Sequence, residues 1–285
     1  MKTKEIVVIS GKGGTGKTTL VASLVPYLNS VVLADCDVDA PDLKILFSGE
    51  NKTSEEFIGL KRASIDKDKC IKCGKCREHC KFKAFTEEID IIYDKCEGCG
   101  VCEYVCPVNA IELKDSVVGH LYTRDTEYGS MAHARLIPGE ETSGKLVARV
   151  RKEAKLLAEK TNAEYIIIDG SPGIACNVIS SITGTDKVII VIEPTLSGLH
   201  DLEKVHRLIN RFNLPIYVVI NKSDLSNSGR KGINDYCLEH NLNIALEIPF
   251  EENIVKSIVN KQIPSLEEVD FFRKIGFIEF VDEVR

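Results

Sequence analysis

The chain has 285 residues, of which 44% are hydrophobic and 28% charged, and its formal net charge is -6. This is the composition of a globular protein with room for one large or two modest domains, and the acidic balance argues against general nucleic-acid binding. No segment approaches the roughly 18 to 20 apolar residues that span a bilayer. The sequence enters a predicted strand within its first ten residues without a secretory signal, so we expect a cytoplasmic protein.

Short apolar runs alternate with amphipathic segments along most of the chain. The predicted strands are 6–9, 31–34, 165–168, 187–192, 216–220 and 244–248, and the predicted helices are 18–28, 145–160 and 198–212. Pro26 is expected to kink or end the first helix. Continuous apolar strands between helices predict an α/β fold, with a mostly parallel sheet covered by helices on both faces.

One segment interrupts this alternation. Eight of the eleven cysteines lie between Cys70 and Cys106, where the composition changes. We therefore predict a discontinuous α/β domain formed by residues 1–59 and 116–285, with a small inserted α+β domain at residues 60–115.

A glycine-rich segment follows the first strand and precedes the first helix. It fits G-x-x-x-x-G-K-[ST] in the context that this phosphate-binding motif requires. Its backbone N–H groups and the helix N-terminus suit phosphate oxygens, with Lys17 at the β- and γ-phosphates and Thr18 at Mg²⁺. The predicted nucleotide-binding residues are Gly11, Lys12, Gly13, Gly14, Thr15, Gly16, Lys17, Thr18 and Thr19.

The string Lys12-Gly-Gly-Thr-Gly-Lys-Thr-Thr19 resembles the deviant Walker A motif of the MinD, ParA and Mrp group of dimeric P-loop ATPases. That group belongs to the SIMIBI class of P-loop NTPases and is related to the nitrogenase iron protein, NifH. The resemblance implies that two ATP molecules are sandwiched between subunits. It also implies that Lys12 crosses the interface and acts on the partner's nucleotide.

The same resemblance assigns carboxylates to the reaction. Asp37 follows the second strand at the switch I position, which orients the attacking water, and Asp39 and Asp42 are alternatives for this role. Asp169, after the strand at 165–168, matches the Walker B carboxylate that holds Mg²⁺. Gly173 matches the switch II glycine that senses the γ-phosphate. The implied catalytic residues are therefore Lys12, Lys17 and Asp37.

Two later segments match base-side contacts of that group. Asn221-Lys222-Ser223-Asp224 follows a strand; in GTPases such a string reads guanine through its aspartate, whereas in MinD-like ATPases the asparagine contacts adenine. Pro249 lies in the second matching loop. Asn221, Lys222, Asp224 and Pro249 are thus expected at the nucleotide. The Lys12 signature favours ATP, and GTP stays open as the alternative.

The clustered cysteines form two runs of equal spacing, Cys70-x₂-Cys73-x₂-Cys76-x₃-Cys80 and Cys96-x₂-Cys99-x₂-Cys102-x₃-Cys106-Pro107. This is the bacterial-ferredoxin spacing, in which the fourth cysteine of each run binds the other cluster. Zinc explains two C-x-x-C pairs but not the repeated triple spacing, and disulfides do not suit a chain without a secretory signal. We predict two [4Fe–4S] clusters, one held by Cys70, Cys73, Cys76 and Cys106 and the other by Cys80, Cys96, Cys99 and Cys102.

The strings 128–136 and 139–147 resemble the segments that follow a ferredoxin insert in MinD-superfamily ATPases of anaerobic bacteria and archaea, so the resemblance covers essentially the whole chain. Residues 143–145 are expected near the nucleotide, and His133 is expected to be structural. Cys176 lies seven residues after Asp169, the offset of a ligand to the cluster shared by the two subunits of the nitrogenase iron protein. A small buried cysteine is the more common explanation of such a residue.

Three functions follow from these features. The first is a dimeric ATPase, slow without its partner, that couples ATP hydrolysis to iron–sulfur electron transfer for maturing or activating a metalloprotein or redox complex. The second is an iron–sulfur or metal-cofactor assembly scaffold or carrier, and the third is a MinD-like positioning ATPase. The expected cofactors are ATP, Mg²⁺ and two [4Fe–4S] clusters. The expected partners are a second copy or a paralogous ATPase and a redox or metalloprotein acceptor, with no nucleic acid and no stable membrane anchor.

Charge is unevenly distributed over the predicted insert. Residues 61–83 contain nine Lys or Arg against three Asp or Glu, whereas residues 84–112 contain one against seven. This asymmetry predicts either a docking face for an acidic partner or compensation of the negative charge of the clusters.

Overall fold

The computed structural model describes residues 2–140 and 143–285. The strands in this part of the chain are β1 (Lys4–Ser10), β2 (Val31–Asp35), β3 (Gly49–Ile58), β4 (Arg62–Ile65), β5 (Ile111–Lys114), β6 (Val117–Thr126), β7 (Gly129–Leu136), β8 (Tyr165–Pro172), β9 (Lys187–Ile192), β10 (Ile216–Asn221) and β11 (Asn243–Ile248). The helices are α1 (Lys17–Leu24), α2 (Leu43–Leu46), α3 (Lys75–His79), α4 (Val101–Tyr104), α5 (Ser143–Thr161), α6 (Cys176–Ile182), α7 (Leu196–Ile209), α8 (Asn227–Glu239), α9 (Glu252–Val259), α10 (Pro264–Glu267), α11 (Val269–Lys274) and α12 (Phe277–Val284).

Nine strands form one sheet in the order β11-β10-β9-β1-β8-β2-β7-β6-β3. From β11 across to β7, each neighbouring pair of strands is parallel. This confirms the predicted α/β fold with a mostly parallel sheet. Because the carboxyl ends of parallel strands lie at one edge of a sheet, the segments that follow β1, β2, β8, β9 and β10 gather there, as in other α/β proteins.

The chain divides into two compact units. One contains Met1–Ser54, Leu121–Arg135 and Ser143–Arg285, and the other contains Glu55–His120 and Leu136–Thr142. The second unit includes the whole cysteine-rich segment and the antiparallel pair β4–β5. The domain bounds predicted from the sequence, with an insert at 60–115, stay a prediction.

The first helix is shorter than predicted. α1 ends at Leu24 and continues as a single 3₁₀ turn over Val25–Tyr27, with Pro26 near its start. A proline inside an α-helix removes one backbone donor and clashes with the preceding turn, so the chain tightens before it. The predicted end at residue 28 was therefore wrong, and the effect expected of Pro26 is confirmed.

The C-terminal helices complete the main core. The apolar face of α12 is buried through Phe277, Phe280, Val281 and Val284. Phe277 meets Tyr27 edge to face, with 5.7 Å between the ring centroids. Burial of each phenylalanine stabilises the fold by about 2–3 kcal/mol. No helix in the described part of the chain is long and apolar enough to cross a membrane.

Candidate functional site

The phosphate-binding loop connects β1 to α1 and has a tightly specified backbone. Gly14 and Gly16 have φ angles of 77° and 98°, a region that residues with a Cβ atom rarely adopt. The Ser10 hydroxyl donates a 2.6 Å hydrogen bond to the Lys12 carbonyl oxygen and so closes the start of the loop. The loop therefore has the backbone curvature that a phosphate cradle needs.

Asn221, at the end of β10, supports the other end of this loop. Its amide nitrogen donates to the Thr15 carbonyl oxygen at 2.7 Å, and its amide oxygen accepts from the Lys222 backbone N–H at 3.0 Å. A Cβ atom on Gly16 would lie 2.4 Å from the same amide nitrogen. The side chain thus positions the phosphate loop, and its predicted contact with adenine stays a prediction.

Thr18 and Asp169, the two residues predicted to hold magnesium, are in direct contact. The Thr18 hydroxyl donates a 2.6 Å hydrogen bond to Asp169 Oδ2. The second oxygen, Asp169 Oδ1, is buried and has no hydrogen-bond partner among the described residues. A buried carboxylate oxygen without a donor is costly, and a Mg²⁺ ion or its bound water would satisfy it. These two residues fit the cation that the motif implies.

Asp35 and Asp37 lie beside this site at the same edge of the sheet. Asp35 pairs in register with Asp169 across β2 and β8. Burial, followed by the charge of Asp169, raises the pKa of Asp35 well above its usual value. Burial also raises the pKa of Asp169 to about 6, against the opposing effect of Lys17. A cation here would relieve the repulsion between the two carboxylates.

Asp35 is fully buried and holds the following loop instead of facing the cavity. Its oxygens accept hydrogen bonds from the backbone N–H groups of Asp37, at 3.2 Å, and Leu43, at 3.1 Å. Asp37 is half-buried, and burial raises its pKa although Lys17 opposes the shift. The structure therefore brings Asp37, the predicted switch I residue, to the phosphate side of the loop.

One cavity on this side of the loop gathers most of the predicted phosphate and metal residues. Its lining includes Gly13, Gly14, Gly16, Lys17, Thr18, Thr19, Asp37, Asp39 and Asp42. Gly173 lies apart from this lining: its N–H donates a 2.8 Å hydrogen bond to the Ser10 carbonyl oxygen. Its neighbour Pro172 lines the cavity, and a hydrogen bond from the Gly173 N–H to a γ-phosphate would replace the bond to Ser10.

A second, largely apolar cavity lies on the other side of the loop. It is lined by Gly14, Gly16, Thr19, Asn221, Lys222 and Pro249 among the predicted residues, and by Phe250 of the same predicted loop, 248–251. Ile254, Val255 and Ile258 also line it, and the sequence did not suggest these three. Asp224 Oδ1 accepts a 2.7 Å hydrogen bond from the Phe250 backbone N–H. Asp224 therefore anchors the loop that carries Phe250, and one of its oxygens is already in use.

Lys12 makes a contact that the sequence did not predict. Its ammonium group lies 2.9 Å from Glu193 Oε2, and the ammonium group of Lys222 lies 2.6 Å from Glu193 Oε1. Burial alone raises the pKa of Glu193, but its hydrogen bonds with Lys222 and Lys12 outweigh that effect and hold the pKa below its usual value. The position of Glu193 directly after β9, at the carboxyl edge of the sheet, was the available signal.

The eight clustered cysteines surround two separate cavities. The first is lined by Cys70, Cys73, Cys76 and Cys106, and the second by Cys80, Cys96, Cys99 and Cys102. These are the two ligand sets predicted from the spacing, including the exchange of the fourth cysteine between the runs. The cysteines thus fit the two clusters that the spacing implies.

The two cysteine runs also repeat the same backbone geometry. Gly74 and Gly100, at matched positions, both have a φ of 79°, and Lys83 and Asn109 have φ angles of 52° and 49°. The thiols of Cys80 and Cys106 accept backbone hydrogen bonds four residues further on, from Ala84 at 3.4 Å and from Ala110 at 3.2 Å. Such N–H···S bonds are a common feature of iron–sulfur sites.

No three His, Cys, Asp or Glu side chains within residues 2–140 and 143–285 are arranged to hold a single metal ion. Thiolates on one zinc ion lie about 2.3 Å from it and therefore within about 4.6 Å of one another. The four thiolates of a [4Fe–4S] cluster each bind a different iron. A cluster therefore does not require the thiols to converge on one point.

Two other residues from the sequence analysis, His133 and Cys176, lie outside these sites. His133 is buried and stacks on Tyr122 with 5.1 Å between ring centroids; burial lowers its pKa to about 4, so it is neutral near pH 7. Cys176 is exposed at the start of α6 and faces Gly144 of α5. Residues 141 and 142 of the string 139–147 lie outside the described residues, and the proximity of 143–145 to the nucleotide stays a prediction.

Comparison with known proteins gives the following similarities. The family model of the CobQ/CobB/MinD/ParA nucleotide binding domain matches residues 6–264. An uncharacterized protein of Methanocaldococcus jannaschii, MJ0578, is 35% identical over 261 residues, which are 90% of this chain and 88% of that protein.

Solved structures of low sequence identity share the fold. The septum site-determining protein MinD of Pyrococcus horikoshii, complexed with Mg-ADP, aligns with 99% of this chain and 96% of its own, at a TM-score of 0.60 and 17% identity. A chain of the MinC:MinD cell division protein complex of Aquifex aeolicus aligns with 93% of this chain and 89% of its own, at a TM-score of 0.55 and 19% identity.

Proposed function

Because the chain is an ATPase that belongs to the CobQ/CobB/MinD/ParA nucleotide-binding family, we propose that it couples ATP hydrolysis to iron–sulfur electron transfer. In this proposal it acts as a dimer, with a second copy or a paralogous ATPase, and delivers electrons for maturing or activating a metalloprotein or redox complex. The single observation that carries the proposal is the division of eight cysteines around two cavities in a chain that also holds a phosphate loop.

The nucleotide half of the proposal rests on the residues around the phosphate loop. Lys17 is buried beneath the loop, where its charge would meet the β- and γ-phosphates. Thr18 and Asp169 would hold Mg²⁺, and Asp37 would position the attacking water. The apolar cavity lined by Pro249 and Phe250 suits a purine base, because it offers large apolar surfaces and few polar groups.

The redox half rests on how the chain would hold its clusters. When bound, [4Fe–4S] clusters supply reversible one-electron transfer at low potential. Cys73 and Cys99 are the exposed members of the two ligand sets, so each cluster would approach the surface on one side. The other six thiols are buried or half-buried, and apolar residues such as Phe85 and Ile89 pack against most of them. This enclosure favours a protein that keeps its clusters and transfers electrons over one that donates a cluster.

The surface around the first cysteine loop supports an acidic partner. Lys72 and Lys75 make no ion pair with any described residue, whereas the matched positions in the second loop are Gly98 and Val101. The apolar side chain of Ile71 is 61% exposed beside them. Two unpaired ammonium groups next to an exposed apolar residue suit a partner with carboxylates around its own redox centre.

The alternative is an assembly scaffold that gives up its cluster, and the fate of the iron separates it from an electron carrier. The reconstituted protein would be reduced under anaerobic conditions and mixed with MgATP and an acidic plant-type [2Fe–2S] ferredoxin as electron acceptor. We expect the acceptor to be reduced while the iron stays with this chain. Transfer of iron to an apo-ferredoxin, without electron transfer to the holo form, would favour the scaffold.

A further inference from the structure

Glu193 lies between two lysines that come from different parts of the nucleotide site. Its carboxylate accepts Lys12 on one oxygen, at 2.9 Å, and Lys222 on the other, at 2.6 Å. The Glu193 side chain is only 11% exposed, whereas both lysines are about a third exposed. The carboxylate is therefore the fixed member of this group, and the lysines are the members with room to move.

The backbone keeps Glu193 and Lys222 in place. Glu193 follows β9 directly, and its carbonyl oxygen accepts a 2.8 Å hydrogen bond from the Thr195 N–H. Lys222 follows β10 with a φ of 52°, and its N–H is bonded to Asn221. Lys12, in contrast, belongs to the phosphate loop. Lys222 lines the apolar cavity beside the loop, whereas Lys12 lines neither of the two cavities and contacts Glu193.

We propose that Glu193 is a positioning residue for Lys12, and that the ion pair between Glu193 and Lys222 allows the one between Glu193 and Lys12 to break. Within the single chain the Glu193 carboxylate holds Lys12 against its own subunit. When Lys12 moves to the phosphates of a nucleotide on a second copy of this chain, Lys222 stays on Glu193. This inference rests on the proposed function, because it requires a dimer in which Lys12 reaches across.

The shared carboxylate explains how Lys12 can leave at low cost. Loss of its only cationic partner is unfavourable for a largely buried carboxylate, because the desolvated charge is then no longer compensated. Here Lys222, with the shorter contact, keeps the charge of Glu193 paired after Lys12 departs. Removal of Glu193 should therefore favour the engaged position of Lys12, whereas removal of Lys222 should oppose it. The two substitutions act in opposite directions although both break the same group of charges.

The first part of the test measures, in the absence of nucleotide, how strongly the ion pair with Glu193 protects the Lys12 ammonium group. Acylation of Lys12 by an amine-reactive ester would be followed by mass spectrometry, with the exposed Lys231 as internal reference. We expect Glu193→Gln to raise the relative rate at Lys12 about three- to fivefold, as for loss of a partly exposed ion pair. An unchanged rate would show that Glu193 does not hold Lys12 in solution and would overturn the proposal.

The second part measures release. Dimerisation at saturating Mg²⁺ and a non-hydrolysable ATP analogue would be followed by analytical ultracentrifugation, so that differences in nucleotide affinity do not enter. Glu193→Gln should strengthen dimerisation about three- to fivefold. Lys222→Met should weaken it about tenfold, because Lys12 then leaves a carboxylate unpaired. The variant with both Glu193→Gln and Lys222→Met should dimerise as Glu193→Gln does, since it has no carboxylate that could be left unpaired.

A third variant shows whether Glu193 acts through Lys12. In a Lys12→Ala background, Glu193→Gln should leave dimerisation unchanged, a dependence that a merely structural role would not produce. Weaker dimerisation on Glu193→Gln in the wild-type background would overturn the inference. If the wild-type chain stays monomeric with the analogue, self-association and the release step are overturned together. The acylation result would then still decide whether Glu193 holds Lys12.

Discussion

The Thr18 hydroxyl donates a 2.6 Å hydrogen bond to Asp169 Oδ2 and thereby joins the first turn of α1 to the C-terminal half of β8. The bond leaves Asp169 Oδ1 buried without a partner among the described residues. Since both residues are expected ligands of one Mg²⁺ ion, directly or through water, this pair marks the point where nucleotide, metal and sheet meet.

The first prediction concerns the pH dependence of magnesium binding. Burial raises the pKa of Asp169 to about 6 from 3.8, so the folded chain binds more protons than the unfolded chain between these values. The free energy of unfolding of the metal-free protein should therefore fall as the pH rises from 3.8 to about 6. Mg²⁺ needs the ionised carboxylate, so its contribution to ADP affinity should fall about tenfold per pH unit below 6.

Thermal-shift titrations with ADP, with Mg²⁺ or with EDTA, would measure this dependence. Asp169→Asn should remove both the magnesium contribution and its pH dependence. A wild-type magnesium effect that stays constant from pH 5 to 7 would contradict the assignment of Asp169.

The second prediction concerns Gly16. Gly16→Ala places a Cβ atom 2.4 Å from Asn221 Nδ2 at a φ of 98°, so both the loop and its support must shift. We expect nucleotide affinity, measured with a fluorescent ADP analogue, to fall at least about tenfold. Gly232→Ala in α8 is the matched control, because its nearest contact would be at 3.4 Å. Alanine also favours helix, so this control should bind as the wild type does.

The third prediction separates ATP from GTP. Asp224→Asn keeps an oxygen that accepts from the Phe250 N–H, so the loop should stay in place. We expect the wild type and the variant both to bind GTP weakly, and the variant to bind ATP within about twofold of the wild type. A selective loss of GTP binding on this substitution would show that Asp224 reads guanine.

The fourth prediction tests the two ligand sets. Reconstituted wild-type protein should contain about eight irons per chain. Cys73→Ala should lower this number to about four, because Cys73 lines only the first cavity. Cys176→Ala, which removes an exposed cysteine outside both cavities, should leave the iron content and the oligomeric state unchanged. Loss of iron or of the dimer in that control would support a cluster bridging two subunits.

The fifth prediction concerns the basic loop. Lys72→Glu with Lys75→Glu should slow electron transfer to an acidic plant-type ferredoxin at least about tenfold at low ionic strength, and added salt should reduce the difference. Lys231→Glu with Lys261→Glu makes the same change of charge elsewhere and is the control. Equal effects of the two pairs would point to net charge instead of a docking face.

Continuous apolar runs predicted the central strands well, because these strands are buried on both faces and consist mostly of apolar residues. They are β1, β2, β8, β9 and β10. β3 escaped detection for the opposite reason: almost all of its ten residues are exposed, and a charged edge strand shows no apolar alternation. Contacts such as that between Lys12 and Glu193 depend on strands brought together by the fold, so motif spacing alone does not reveal them. The two cysteine sets were predictable because the spacing itself determines which thiols share a cavity.

The central claim is that nucleotide and clusters are coupled within one protein. We would measure it by anaerobic redox titration of the reconstituted protein, followed by EPR, with MgATP, with MgADP and without nucleotide. Our account predicts about eight irons per chain and a reduction potential or EPR spectrum that differs between the MgATP and nucleotide-free states. Eight irons with potentials and spectra indifferent to nucleotide would contradict the coupling and give precedence to the assembly-scaffold alternative.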